Sequence, residues 1–142
     1  MRSARHLLEG KGGDIFAIAP EGSVLDAIRL MAQKHVGALL VMRGDALVGI
    51  VSERDYARNV ILKDRSSRDT AVGDIMSSPV ITVTPGASLD ECMRTVTDHR
   101  VRHLPVLDGS RVIGVLSIGD LVKAVIDDQA REIEQLQSYI AS

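Results

Sequence analysis

Two stretches of the chain, residues 49–55 (GIVSERD) and 114–120 (GVLSIGD), share a glycine, two aliphatic residues, a serine and, three positions later, an aspartate. That spacing suits two chemistries. As a capping box at a strand-to-helix junction, the serine hydroxyl accepts from the backbone N–H three residues on, and the carboxylate accepts from the serine N–H. As a ligand site, the serine, free N–H groups and the helix start bind phosphate, while the carboxylate accepts hydrogen bonds from two ribose hydroxyls. Both uses can hold at once. Ser23 with Asp26 and Ser88 with Glu91 have the same spacing with no further chemistry nearby, so spacing alone does not separate the two uses.

Other chemistries find less support. Cys92 is the only cysteine, which excludes an internal disulfide and a thiolate metal cage, and it falls on an apolar helix face with Met93 and Val96. His6, His35, His99 and His103 show no HExxH or comparable spacing, so no metal site is expected. His103 with Ser52 or Ser117 as base and nucleophile would make an enzyme, but there is no Gly-x-Ser-x-Gly elbow and no P-loop, and a phosphate contact explains His103 more simply. The expectation is a non-catalytic protein with no catalytic cofactor.

The elements that position these residues occur twice. Residues 15–60 reappear without a gap at residues 80–125, shifted by 65 positions. Pro20 matches Pro85, Ser23 matches Ser88, Gly44 matches Gly109, Gly49 matches Gly114, Ser52 matches Ser117 and Asp55 matches Asp120. Such a repeat sets the architecture before any motif is read. In each half an apolar stretch ending at proline (residues 15–20 and 80–85) predicts a strand, and a serine-capped amphipathic segment predicts a helix. Two apolar runs around a Gly-containing turn (38–42 with 46–51, and the equivalent around Gly109) predict a β-hairpin, and Ser52 or Ser117 opens a second helix. The unit is β-α-β-β-α. Residues 63–70 read as an exposed linker, their basic residues alternating with Asp64 and Asp69, a solvated face rather than a nucleic-acid patch. Residues 127–140 read as one more helix, packed on its own domain or on another subunit.

With about 46 residues, each repeat alone would bury too little surface, so the two halves are expected to share one core. A composition of 45 per cent apolar and 25 per cent charged residues fits a globular fold, and a formal charge of −2 offers no long-range attraction to nucleic acid or anionic lipid. The longest apolar runs fall far short of the roughly 20 residues that cross a bilayer, and residues 1–8 lack the apolar region of a secretory signal. A soluble, cytoplasmic protein without nucleic-acid or membrane partners is expected.

Taken in order, IMSSPVITVTP (75–85), VRHLPV (101–106) and GVLSIGD in a twice-occurring β-α-β-β-α unit resemble the cystathionine β-synthase (CBS) domain family. The likeness covers nearly all of residues 11–126, and the tandem resembles the CBS pair called a Bateman module. GGDIFAIAP, VGALLVMRGD and VSERDYARNVILKDRSS make it similar to small stand-alone two-repeat members. The resemblance implies an α/β fold of the α+β type, with tandem repeats related by pseudo-twofold symmetry and a C-terminal helix. It divides the chain into an N-terminal segment (1–14) entering the first repeat, repeat 1 (15–62), a linker (63–74), repeat 2 (75–126) and the C-terminal helix (127–142).

The resemblance also implies a regulatory energy-sensing module, usually a homodimer, binding AMP, ADP, ATP, NAD(H) or S-adenosylmethionine in clefts that draw strands from one repeat and the Ser-x-x-Asp junction from the other. By position, the first cleft would use Gly12, Gly13, Ile15, Val36, Gly37 and Ala38 with Leu116, Ser117 and Asp120. The second would use Met76, Ser77, Val80, Val101, Arg102 and His103 with Ser52, Arg54 and Asp55, and Arg58 could add charge. The first set is almost uncharged; the second brings two arginines and a histidine towards a phosphate. An adaptor or dimerisation module that has lost its ligand is the alternative. The regulated partner is not named by the sequence.

Overall fold

The computed structural model describes residues 2–141; Met1 and Ser142, the outermost positions of the expected N-terminal segment and C-terminal helix, lie outside the described residues. The chain divides into two compact units, and the division does not follow the repeat boundaries. The first unit runs from Ile15 to Val80; the second joins the segment up to Asp14, including helix α1 (Ala4–Lys11), to everything from Ile81 onwards.

In the first unit, β1 (Ala17–Ile18) leads to α2 (Val24–Lys34), the hairpin β2 (Ala38–Arg43) and β3 (Ala46–Ser52), and α3 (Glu53–Asn59). β1 runs parallel to β2, and β2 antiparallel to β3 with Ala38 opposite Ser52. Gly44 turns the hairpin at φ +61°, a left-handed conformation that glycine adopts without strain. α2 buries Val24, Ala27 and Met31, spaced to share one helix face, against Leu39, Val41 and Val51.

Residues beyond the repeat complete this unit. Val72 and Ile75 are buried in the same cluster, and two short 3₁₀ turns (Ile61–Lys63 and Val72–Asp74) shape the connection. The expected linker is therefore exposed only in part. Thr70 is 8 % exposed, and the carbonyls of Thr70 and Ser67 accept from Val24 N and Leu25 N at 2.9 Å each. Those are N–H groups at the start of α2 that no intrahelical acceptor can reach, so this stretch satisfies the helix end as well as connecting elements.

In the second unit, α4 (Leu89–His99) is followed by the hairpin β4 (His103–Asp108) and β5 (Arg111–Ser117), then α5 (Ile118–Ala141). His103 pairs opposite Ser117, as Ala38 does opposite Ser52 in the first unit. The strand expected over 80–85 is reduced to an isolated parallel bridge between Val83 and Val106, and that over 15–20 to the two residues of β1. Prolines 79 and 85 bracket the first of these stretches, and each removes a ladder donor. α1 fills the unit: Ala4, Leu7 and Leu8 are buried among Leu89, Cys92, Leu104 and Leu116. The Arg2 carbonyl accepts from Leu89 N at 3.0 Å, the service that Thr70 performs for Val24.

Each unit is thus built round a hydrophobic cluster of its own, where the sequence led us to expect one core shared by the halves. The size argument holds but is met differently: each repeat gathers extra chain, α1 for the second unit and residues 70–76 for the first. The C-terminal helix also differs from expectation. It is not a separate element from 127 but the continuation of α5, unbroken for 24 residues, since residues 126–141 contain no glycine or proline to stop it.

Candidate functional site

Asp55 and Asp120 occupy equivalent places, one turn into the helix that follows each hairpin. The chain passes directly from β3 to α3 at Ser52 and from β5 to α5 at Ser117. Asp55 N donates to Ser52 Oγ at 3.2 Å and Asp120 N to Ser117 Oγ at 3.1 Å. In return Ser52 N donates to Asp55 Oδ2 at 2.9 Å and Ser117 N to Asp120 Oδ2 at 2.7 Å. Both capping boxes are reciprocal. At Ser23 and Ser88 only the hydroxyl half is formed among the described residues, accepting from Asp26 N at 3.0 Å and Glu91 N at 3.1 Å. The geometry thus sets the Ser52 and Ser117 caps apart from those at Ser23 and Ser88.

A further segment completes each box. In the first unit Ser77 bridges β3 through Ser77 N to Ile50 O (2.8 Å) and Ile50 N to Ser77 O (3.1 Å). Its hydroxyl donates to Asp55 Oδ1 at 3.4 Å, and Ser52 Oγ donates to Asp55 Oδ2 at 3.1 Å. Met76 lies over Gly49, where a Cβ would collide with its side chain. In the second unit Lys11, the last residue of α1, donates from Nζ to Asp120 Oδ2 at 2.6 Å and to Val115 O at 2.7 Å. Leu8 covers Gly114, whose Cβ would stand 2.6 Å from Leu8 Cδ2, and a Cβ on Gly13 would stand 3.2 Å from Ile113 O. Under the shift of 65, Lys11 is the counterpart of Met76 and Gly12 of Ser77, so equivalent segments carry unlike side chains to the two carboxylates.

Lys11 was not among the residues singled out from the sequence. It lies four positions before the gapless repeat begins, and extending the alignment back to its partner Met76 would have found it. Its presence corrects the expectation that the Asp120 set is almost uncharged. Burial acts to raise the Asp120 carboxyl, but the bond and charge of Lys11 and the bonds from Ser117 outweigh it and hold the group below the usual aspartate value. His103, half buried opposite Ser117, is pushed below the ordinary histidine value by burial, then by Lys11 and Arg102, with Asp120 opposing.

The other expected residues divide between the units. Ile15, Val36, Gly37, Ala38, Ser52, Arg54, Asp55, Met76, Ser77 and Val80 are in the first; Gly12, Gly13, Val101, Arg102, His103, Leu116, Ser117 and Asp120 are in the second. Gly37 O accepts from Glu53 N at 3.0 Å and Arg102 O from Ile118 N at 2.8 Å. With these bonds and the boxes in place, Arg54 N and Gly119 N are the helix-start donors left without a protein acceptor among the described residues. Arg54 and Arg58 lie on α3, whose residues are at least partly exposed. Leu116 is wholly buried and offers no side-chain surface. An open hollow elsewhere in the first unit, lined by Arg65, Ser66, Asp69, Thr70 and Asp74, mixes both charge signs and contains none of the expected residues. Among the described residues no cluster of three or more His, Cys, Asp or Glu side chains could hold a metal, and no helix is long and apolar enough to cross a membrane.

A unit of hairpin and helices that occurs twice, with a Ser-x-x-Asp junction in each copy, is the arrangement of a paired CBS-type module. The chain belongs to the CBS domain family, whose model matches residues 13–61 and 72–127. It is 44% identical over 125 residues to the mitochondrial CBS domain-containing protein CBSX3 of Arabidopsis thaliana, covering 84% of this chain and 61% of that protein. The chain therefore spans about three fifths of that relative's length. A solved CBS-domain protein from Burkholderia ambifaria is 52% identical with a TM-score of 0.85, covering 89% of this chain and 96% of that one. A hexameric CBS-CP12 protein from bloom-forming cyanobacteria is 26% identical with a TM-score of 0.76, covering 86% of this chain and 70% of that one.

Proposed function

We propose that this chain is a non-catalytic adenine-nucleotide sensor in which Asp55 and Asp120 each receive the hydroxyls of a ribose. The observation that carries the reading is the pair of reciprocal boxes. Each fixes its carboxylate at a helix start while leaving acceptor capacity, since a carboxylate offers about four lone-pair positions. Asp120 Oδ1 has no protein donor among the described residues, and Asp55 Oδ1 has only the 3.4 Å contact from Ser77. AMP, ADP, ATP and NAD(H) are the ligand candidates, and the residue sets named from the family resemblance are the proposed binding residues. Arg54, Arg102 and His103 supply phosphate contacts in the second set. Lys11 supplies a cation beside Asp120, so the charge contrast between the sets is smaller than composition suggested.

The sensor acts by favouring one arrangement of the module, which requires a ligand with different affinity for two states. A homo-oligomer that presents this change to a regulated protein fits the reading, and the hexameric CBS-CP12 relative is an example of assembly in a protein of this fold. A thermal-shift panel of AMP, ADP, ATP, NAD and adenosine tests the proposal: a ligand bound by the native state alone raises Tm with concentration. No shift with any member would favour a second reading, an adaptor module, for which the supporting observation is that each box already serves as a helix cap.

A further inference from the structure

α5 carries an apolar stripe that its own unit does not cover. Ile118, Val122, Ile126, Ile133, Leu136 and Ile140 are 39%, 43%, 58%, 56%, 57% and 81% exposed. At about 100° per residue these six positions fall within an arc of about 80° along roughly 33 Å of helix. One polar residue, exposed Gln129, stands in the same arc, midway along it. The face that packs on α4 and β5, with Leu121 and Ala124 buried, lies to one side of this arc. Single exposed apolar residues are ordinary, but an aligned stripe along a 24-residue helix marks an interaction surface.

The stripe is self-complementary about Gln129. Numbers that add to 258 pair Ile118 with Ile140, Val122 with Leu136 and Gln129 with itself, and Ile126 falls beside Ile133. A second copy laid antiparallel, related by a twofold axis at Gln129, thus meets aliphatic residues with aliphatic residues on both sides of the axis. At the axis the two Gln129 amides face each other, and each carries both donor and acceptor, so they can bond reciprocally. A register slipped by a turn would set each amide against aliphatic side chains, so the one polar residue of the stripe selects this register. Charge selects the direction. Lys123 and Glu134 flank the same edge of the stripe, so antiparallel pairing sets Lys123 of each copy beside Glu134 of the other, twice by symmetry. Parallel pairing in register would instead put Glu134 of each copy beside Glu132 of the other, a repulsive contact. On the other edge Asp128 of each copy falls near Glu132 of the other, and Asp128 is already neutralised by Arg2 of its own unit at 2.8 Å, so this edge adds little repulsion against the two Lys123–Glu134 pairs.

We infer that α5 is a homodimerisation element and that its occupant is the α5 of a second copy in antiparallel orientation. The inference does not depend on nucleotide binding. Cysteine cross-linking tests it, since Cys92, the only native thiol, is buried. Mild oxidation of the full-length Val122→Cys and Leu136→Cys variants in a mixture is expected to give a covalent dimer of one with the other, and neither alone should cross-link efficiently. Cross-linking of Val122→Cys to itself would overturn the antiparallel direction, and absence of any covalent dimer would overturn the interface. Sedimentation in parallel is expected to show that Lys123→Glu weakens the dimer about tenfold, as expected for two reversed exposed ion pairs, and that adding Glu134→Lys restores it. No recovery in the double variant would also overturn the pairing. Circular dichroism of each exposed-site variant is expected to match the parent.

Discussion

The two Ser-x-x-Asp junctions have the same backbone, the same reciprocal box and the same relation to a hairpin, yet a hydroxyl completes one and an ammonium the other. Ser77 reaches Asp55 at 3.4 Å; Lys11 reaches Asp120 at 2.6 Å and is held in place by the Val115 carbonyl. The two copies therefore share the helix-capping geometry and differ in the electrostatics above it. The capping role constrains serine and aspartate in both copies. The residue arriving from the preceding segment is free of that constraint, and it sets the local charge.

The glycines beneath these segments test the comparison most severely. A Cβ at Gly114 meets Leu8, a branched side chain 6% exposed in the core, whereas at Gly49 it meets Met76, which is unbranched and only half buried. Gly114→Ala is expected to destabilise the protein by about 1 to 3 kcal/mol and Gly49→Ala by less, because methionine repacks more readily. Urea unfolding of both variants measures the difference.

Next in size are the caps. Ser52→Ala and Ser117→Ala should each cost about 1 kcal/mol, while Ser23→Ala, which loses only half a box, should cost less. Chemical denaturation at constant pH gives the order.

The smallest expected effect isolates the charge. Lys11→Met gives the second unit the residue found at the equivalent position of the first. Asp120 is held below its unfolded value, so it stabilises the fold above the unfolded aspartate pKa, and that contribution is lost as pH falls through the folded one. Removing Lys11 raises the folded pKa, so the acid loss of stability should begin at higher pH, with a change under about 1 kcal/mol because the pair is partly exposed. Melting temperatures between pH 3 and 7 measure it, with Met76→Lys as the reciprocal variant.

Much of this was legible in the sequence because it rests on local rules. The shift of 65, the serine caps and the Gly-containing hairpins gave the order of helices and strands, and all four capping serines act as caps. The first strand of each repeat was overcalled, because an apolar run before proline has the pattern of a strand while prolines limit its ladder bonds. Lys11 and α1 escaped because their meaning is long-range: Lys11 bonds residues 104 and 109 positions away, which no local spacing records. The single shared core was inferred from repeat length alone, which cannot say where flanking chain will pack. The uncovered stripe on α5 was half visible as Ile133, Leu136 and Ile140, but its extension back to Ile118 appeared only once the helix proved unbroken.

Isothermal titration of an adenine nucleotide chosen from the thermal-shift panel into wild type, Asp55→Asn and Asp120→Asn tests the sensor reading most directly. Asparagine keeps an acceptor for the serine N–H but removes the charge that ribose hydroxyls favour, so each variant should lose the sites it lines, or bind about ten- to a hundredfold more weakly there, with its melting temperature little changed. Affinities unaltered in both variants would contradict the assignment of these carboxylates to ribose recognition.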